Sequence, residues 1–283
     1  MSESFIRLGP ERPALPVVLS VPHAGRAYSA ALLGAARVGH AALESLEDRL
    51  VDRLIWRAAA LGATALVAQA PRAEIDLNRD EREIDSALID PRLPAHALIQ
   101  SPRTRGGLGL IPSRVPGAGA IWSAPIRREE LNRRLDEIHR PYHQAVERTL
   151  EQARLRFGAA VLLDCHSMPP GSGGAGGAQL VLGDRHGISM SGPLVDLVQH
   201  TAEALGYRVS RNEPYAGGYV VARHGRPDRN IHALQLELDR SVYLDARLRL
   251  PGQGFDAAAH LLAAVTERMC AAILGQAEPL AAE

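Results

Sequence analysis

Val17-Val18-Leu19-Ser20-Val21-Pro22-His23-Ala24-Gly25 is a β-branched apolar run that stops at a proline and is followed at once by a histidine and a glycine. Such a run reads as a buried strand. Outward from it, Leu43, Leu46, Leu50, Leu54, Ala58 and Leu61 recur at helical spacing, which predicts one helix over 43–61 closed by Gly62. Thr64–Ala68 is the next strand, so the chain begins strand–helix–strand. Residues 81–127 are rich in Pro, Gly and Arg with little periodicity, and an irregular stretch of that length is often functional. A long charged helix follows over 128–157, expected to bend or break near Pro141. Strands are expected at 160–163, 180–182, 219–222 and 233–238, and helices at 193–205 and 254–274, with a frayed tail at 276–283. The alternation predicts an α/β sheet with helices on both faces. Without a repeat or a linker, the expectation is one domain over 1–283 with its core at about 15–275. In such sheets ligands collect outside the carboxyl ends of the strands.

Composition excludes several functions. The 283 residues are 46% hydrophobic, enough for a sizeable core. Thirty-two basic residues balance 32 acidic ones, so no surplus exists to neutralise a nucleic-acid backbone. Every basic residue is Arg; without Lys there is no Schiff-base lysine and no P-loop, and the glycine-rich run 171–177 reads as a mobile loop beside a site. Two cysteines make no disulfide framework. The N-terminal stretch lacks a signal-peptide pattern and no unbroken run of 18 apolar residues occurs, so a cytoplasmic protein away from membranes is expected.

Four polar clusters follow or end the apolar runs: Ser20–Gly25 around His23, the segment 74–80 containing Asn78 and Arg79, Asp164-Cys165-His166-Ser167, and Gln235-Leu236-Glu237. His23 and His166 are the metal-ligand candidates, because a catalytic zinc takes three protein ligands and keeps one position for water. Asp164, two residues before His166, shares its strand face and could fix a ring tautomer. A carboxylate is needed as third ligand; Glu47 and Asp48 both qualify, and periodicity chooses neither. Glu237, flanked by leucines, is either ion-paired with an arginine or desolvated towards general-base behaviour. A guanidinium grips a carboxylate with two bonds. Arg79, beside Asn78, is the best-placed candidate, with Arg72, Arg105, Arg114 and Arg223 behind it. His139 and His143 flank Pro141 and read as structural; Cys165 points away from the His166 face and reads as core. Nothing in the spacing of His186, His224 or His232 assigns them a role.

Ser20-Val21-Pro22-His23-Ala24-Gly25, the acidic segment at Asp48, Ile75-Asp76-Leu77-Asn78-Arg79-Asp80, Asp164-Cys165-His166-Ser167, Gly217-Gly218-Tyr219 and Leu234-Gln235-Leu236-Glu237 resemble, in order, the N-formylglutamate amidohydrolases. The resemblance runs over about 15–245. The Asn-Arg pair, the Asp-x-His-Ser segment and the late Glu are also similar to zinc carboxypeptidases. Those resemblances imply a single-domain mixed β-sheet flanked by helices, zinc-carboxypeptidase-like, of the phosphorylase/hydrolase-like type. They imply one Zn2+ (or another divalent metal) on His23, Asp48 and His166, and Asn78 and Arg79 on a substrate carboxylate. Glu237 would serve as base and acid and Arg72 as a donor to the oxyanion, with Arg105 and Arg223 as further substrate-binding candidates. The implied substrate is a small N-acyl amino acid, N-formyl-L-glutamate first. The alternatives are another N-acyl amino acid or small peptide, or a silent binding protein of the same fold. Departures exist: Ala24, Gly25 and Arg26 stand where a carboxypeptidase has His-x-x-Glu, the acidic segment lacks the expected aromatic and His content, and the segment after Ser167 is short and glycine-rich.

Overall fold

The computed structural model describes residues 4–174 and 177–277. The expected tail lies mostly outside the described residues, as do positions 175 and 176 of the glycine-rich run. Seven strands form the main sheet: β1 (Phe5–Leu8), β2 (Val17–Val21), β3 (Thr64–Ala68), β4 (Ala160–Met168), β5 (Leu180–Gly183), β6 (Val209–Arg211) and β7 (Ile231–Asp239), in the order β1-β3-β2-β4-β7-β5-β6. The β2–β3, β2–β4, β4–β7 and β5–β6 pairs are parallel, whereas β7–β5 is antiparallel, so the sheet is mixed. β2, β3, β4, β5 and β7 are buried along their whole length. Their apolar, β-branched runs suit strands covered on both faces.

The chain divides into two compact units. One comprises Met1–Ile6, Pro22–Glu47 and Ala68–Gln144. Its polypeptide is mostly irregular, with short helices, two two-stranded ribbons and the helix that begins at Arg128. The other comprises Arg7–Val21, Asp48–Val67 and Ala145–Glu283 and carries most of the sheet. There the long helix Phe255–Ala277 packs on the helices Val51–Leu54, Trp56–Ala60 and Gly192–Ala204 and on β2. Its stretch Phe255–Gly275 has a mean hydropathy of 1.4, long and apolar enough to cross a membrane by composition, but 56% of it is buried in the protein. The tertiary packing accounts for that hydropathy.

Several expectations need correction. The helix expected over 43–61 is broken into His40–Leu43, a 3-10 turn Glu44–Leu46, and the short helices Val51–Leu54 and Trp56–Ala60. Glu47 is extended and Leu50 is left-handed (φ 62°), so the helix does not survive, although the stripe from Leu43 to Ala58 stays buried and only Leu61 is exposed. The strand expected at 219–222 is the helix Tyr219–His224, which lies on β4 and β7 instead of joining them. Its β-branched pair, Val220 and Val221, is fully buried there, so packing overrides strand propensity. The helix from Arg128 does not break at Pro141: a π turn, Leu135–His139, precedes the proline and the helix continues as Arg140–Phe157. Such a turn accommodates a residue lacking its N–H. β4 runs five residues further than expected, to Met168, so Asp164 and His166 sit within a strand; β7 ends one residue later, at Asp239, with Glu237 inside it as expected.

Candidate active site

β4 and β7 set the first half of the site. In their parallel register Gln235 pairs with Asp164 and Glu237 with His166, while Ser20 of β2 pairs with Asp164. Directly paired residues project to the same face, as do residues two apart along a strand. Ser20, Asp164, His166, Gln235 and Glu237 therefore share one face towards the carboxyl ends of the strands, and all are buried. Cys165 projects to the other face; burial, then the neighbouring Asp164 carboxylate, pushes its thiol upward, away from thiolate chemistry.

His166 is held at both ring nitrogens. Its Nε2 donates to Asp164 Oδ2 (2.8 Å), and Nδ1 lies 3.0 Å from Asp48 Oδ2. Ser20 Oγ donates to Asp164 Oδ1 (2.7 Å), which fixes the carboxylate that orients the ring. Burial works against a charged imidazole here. Asp164, Asp48 and Glu237 outweigh it and hold His166 well above the usual histidine range. Asp48 also accepts from Ser167 Oγ (3.3 Å) and Arg240 Nη2 (3.2 Å), and Arg240 Nε donates to Ser167 Oγ (3.1 Å). Glu47, the other carboxylate left open by the sequence, turns elsewhere: it accepts from Tyr28 Oη (2.8 Å). The extended backbone at Glu47 separates the two side chains. Glu237 Oε1 accepts from Gln235 Nε2 (2.8 Å), and Gln235 Oε1 accepts from the backbone N–H of Gly218 (2.7 Å). Gln235 thus ties the Glu237 carboxylate to the start of the helix Tyr219–His224.

In the other unit, His23 Nε2 donates to Asp76 Oδ1 (2.6 Å). Asp76 is fully buried and also accepts from Arg72 Nε (2.9 Å) and from the backbone N–H of Asn78 (2.8 Å). Burial alone would raise its pKa. Arg72, His23 and Arg79 prevail and hold the carboxyl well below the usual carboxylate range. Past His23 the chain runs so close to Ala70 that a Cβ on Gly25 would lie 2.0 Å from the Ala70 carbonyl oxygen, so only glycine fits. Asn78 and Arg79 are both buried. Arg79 Nε donates to Leu108 O (2.8 Å) and Nη1 to Asn78 O (2.6 Å), with Nη2 3.9 Å from Asp76.

Within one unit the buried Asp48 carboxylate and His166 imidazole meet at 3.0 Å, a carboxylate and an imidazole of the kinds that hold divalent metals.

The remaining arginine candidates are less involved. Arg105 is exposed and bonds to Gln100 O (2.7 Å), and Arg114 is exposed on a two-stranded ribbon. Arg223 donates to Tyr219 Oη (2.9 Å) and lines a cavity of about 270 Å³ with His224 and Ile231, the first residue of β7 and six positions before Glu237. His186 is exposed; His224 and His232 are buried, the latter at the start of β7. Sequence reasoning assigned nothing to Asp76, Ser20, Gln235 or Arg240. Period-two spacing would have found Gln235 beside Glu237. Arg240 meets Asp48 across 192 positions and leaves no sequence signal.

The profile of the N-formylglutamate amidohydrolase family matches residues 15–244. The chain belongs to the N-formylglutamate amidohydrolase family. Among relatives of this amidohydrolase, the N-formylglutamate deformylase of Pseudomonas putida is 32% identical over 237 residues, 82% of each chain. The N-formylglutamate deformylase of Pseudomonas aeruginosa is 30% identical over 241 residues, 83% of this chain and 84% of that one. The crystal structure of N-formylglutamate amidohydrolase from Ralstonia eutropha JMP134 superposes with a TM-score of 0.90 at 35% identity, over 97% of this amidohydrolase and 100% of that chain.

Proposed function

We propose that this amidohydrolase cleaves the amide of N-formyl-L-glutamate to formate and L-glutamate, with one divalent ion, zinc by preference, on His23, Asp48 and His166. The observation that carries the reading is the register that sets Glu237 beside His166 on one face of the sheet, in a chain of this family. The relatives named as N-formylglutamate deformylases support the substrate.

In both histidines Nε2 faces a carboxylate outside the proposed donor set, Asp76 for His23 and Asp164 for His166, while His166 Nδ1 faces Asp48 within it, so Nδ1 is the ligating atom in this reading. A bound ion would polarise the formyl carbonyl and lower the pKa of water. Glu237, oriented by Gln235, takes the proton of the attacking water and returns it to the leaving amine. Arg72, steadied by Asp76, donates to the oxyanion. Asn78 and Arg79 hold a substrate carboxylate, so the amide is aimed before it reacts. Arg105 and Arg223 are the reserve candidates for the second carboxylate.

We read both units as parts of one amidohydrolase domain, because their segments interleave along the chain and the family match runs through both. The partner is a small molecule, and the expected compartment is the cytoplasm; cell fractionation tests the latter.

The deciding experiment joins metal analysis with formate release on a panel of N-formyl and N-acetyl amino acids. Glu237→Gln should keep about one metal per chain and lose turnover by 10²-fold or more, roughly the lower bound for a general base. Retained turnover rejects the base assignment. A metal-free protein that turns over rejects the centre, and faster cleavage of another N-acyl amino acid rejects the substrate.

A further inference from the structure

We propose that His139 and His143 are positioning residues that set the orientation of Asn78 and Arg79; the inference rests on the reading of that pair as the substrate-carboxylate grip. Both imidazoles are completely buried. His143 Nε2 lies 2.9 Å from the carbonyl oxygen of Leu77, and His139 Nε2 lies 2.9 Å from that of Arg79. A carbonyl oxygen only accepts, so each ring carries its proton on Nε2 and donates. The two bonds bracket Asn78. Between them Arg79 Nη1 holds the Asn78 carbonyl, and the Asn78 N–H is held by Asp76. Every backbone carbonyl from 77 to 79 thus has a buried side-chain donor, in a segment with no strand or helix of its own.

The helix is built for this. His139 closes the π turn Leu135–His139, and His143 stands four residues later on the continuing helix. The rings lie side by side, centroids 4.5 Å apart. A buried carbonyl left without its donor costs the full desolvation of the group, so the segment would shift to find another partner. A shift there moves the Asn78 amide and the Arg79 guanidinium together. The grip on a carboxylate therefore depends on two imidazoles that never touch the substrate.

The test uses the metal-loaded enzyme and two replacements at each position. Gln carries its amide nitrogen where Nε2 lies and can donate; Asn carries it nearer the backbone and falls short. His139→Asn and His143→Asn should each raise KM for N-formyl-L-glutamate, and Kd for L-glutamate by calorimetry, by about tenfold or more, the size of one lost buried hydrogen bond. Metal content should not change, and kcat should stay within about threefold. His139→Gln and His143→Gln should restore KM and Kd. Hydrogen exchange across 76–80 should quicken in the Asn variants and recover in the Gln variants, a readout that needs no substrate. Unchanged exchange in the Asn variants overturns the proposal, as does a loss confined to kcat or a Gln variant that folds without rescue. Wild-type enzyme that neither cleaves N-formylglutamate nor binds glutamate overturns the proposed function instead, and exchange still decides the positioning.

Discussion

At the scale of single residues, the proposed chemistry depends on side chains held from behind. Glu237 and His166 are adjacent through strand register, but each gets its direction from a second polar group: Gln235 for the one, Asp164 with Ser20 for the other. Gln235 spends both ends of its amide, one on Glu237 and one on the Gly218 N–H. Replacing it with Leu of similar volume leaves that N–H and the carboxylate without their partner. Gln235→Leu should lower kcat by about tenfold and stability by ~1–3 kcal/mol, the range for an unmet buried polar group, while metal content stays at the wild-type value. Steady-state kinetics beside a urea melt checks it; unchanged kcat means that Glu237 needs no such support.

At the scale of elements, the alternation of a strand places neighbouring residues on opposite faces of the sheet. β4 reads Ala-Val-Leu-Leu-Asp-Cys-His-Ser-Met, and Asp164 and His166 fall on one face while Cys165 and Ser167 alternate to the other. A cysteine next to a histidine invites a nucleophile reading, and the face rejects it. Cys165→Ala should cost about 1–2 kcal/mol of stability through a small cavity and leave kcat within about twofold. Collapse of turnover with the fold intact would restore the nucleophile. The helix expected over 43–61 carries a different lesson. Five of its six stripe residues, Leu43, Leu46, Leu50, Leu54 and Ala58, are buried, while Leu61 at its end is exposed. The backbone nonetheless unwinds at 47–50, where Glu47 and Asp48 diverge to Tyr28 and His166. Hydrophobic period reports which residues are buried; it does not report a local break that carries two carboxylates to different partners.

At the scale of the whole molecule, buried ionisable groups link stability to pH. His224 is buried, and burial first, then Arg223 and Arg226, depress its pKa to about 3. In the unfolded chain an ordinary histidine titrates near ~6.5. Below that value the unfolded state binds a proton that the folded state refuses, so stability is complete above about pH 6.5 and falls steadily as pH drops towards 3. Between pH 7.5 and 5 this one group should cost about 2 kcal/mol. His224→Gln should lose that part of the acid sensitivity, read as the difference between wild-type and variant melts at the two pH values. Equal slopes would mean that the imidazole is charged in the folded protein.

The sequence by itself determined the buried strands β2 and β3, the α/β class, the apolar faces and the set of polar residues at strand ends. Those follow from local period and composition, which act within a few residues. The motif order also carried the family resemblance. The resemblance had pointed to Asp48 where periodicity left Glu47 and Asp48 open; tertiary structure decided that Asp48 meets His166 while Glu47 turns to Tyr28, that Asp76 takes His23, that Arg240 reaches Asp48, and that His139 and His143 hold the Asn78 segment. Each of these is a hydrogen bond between groups far apart in the chain. Its partner is chosen by strand register and by the demand of buried polar groups for satisfaction, and neither exists until the chain has folded.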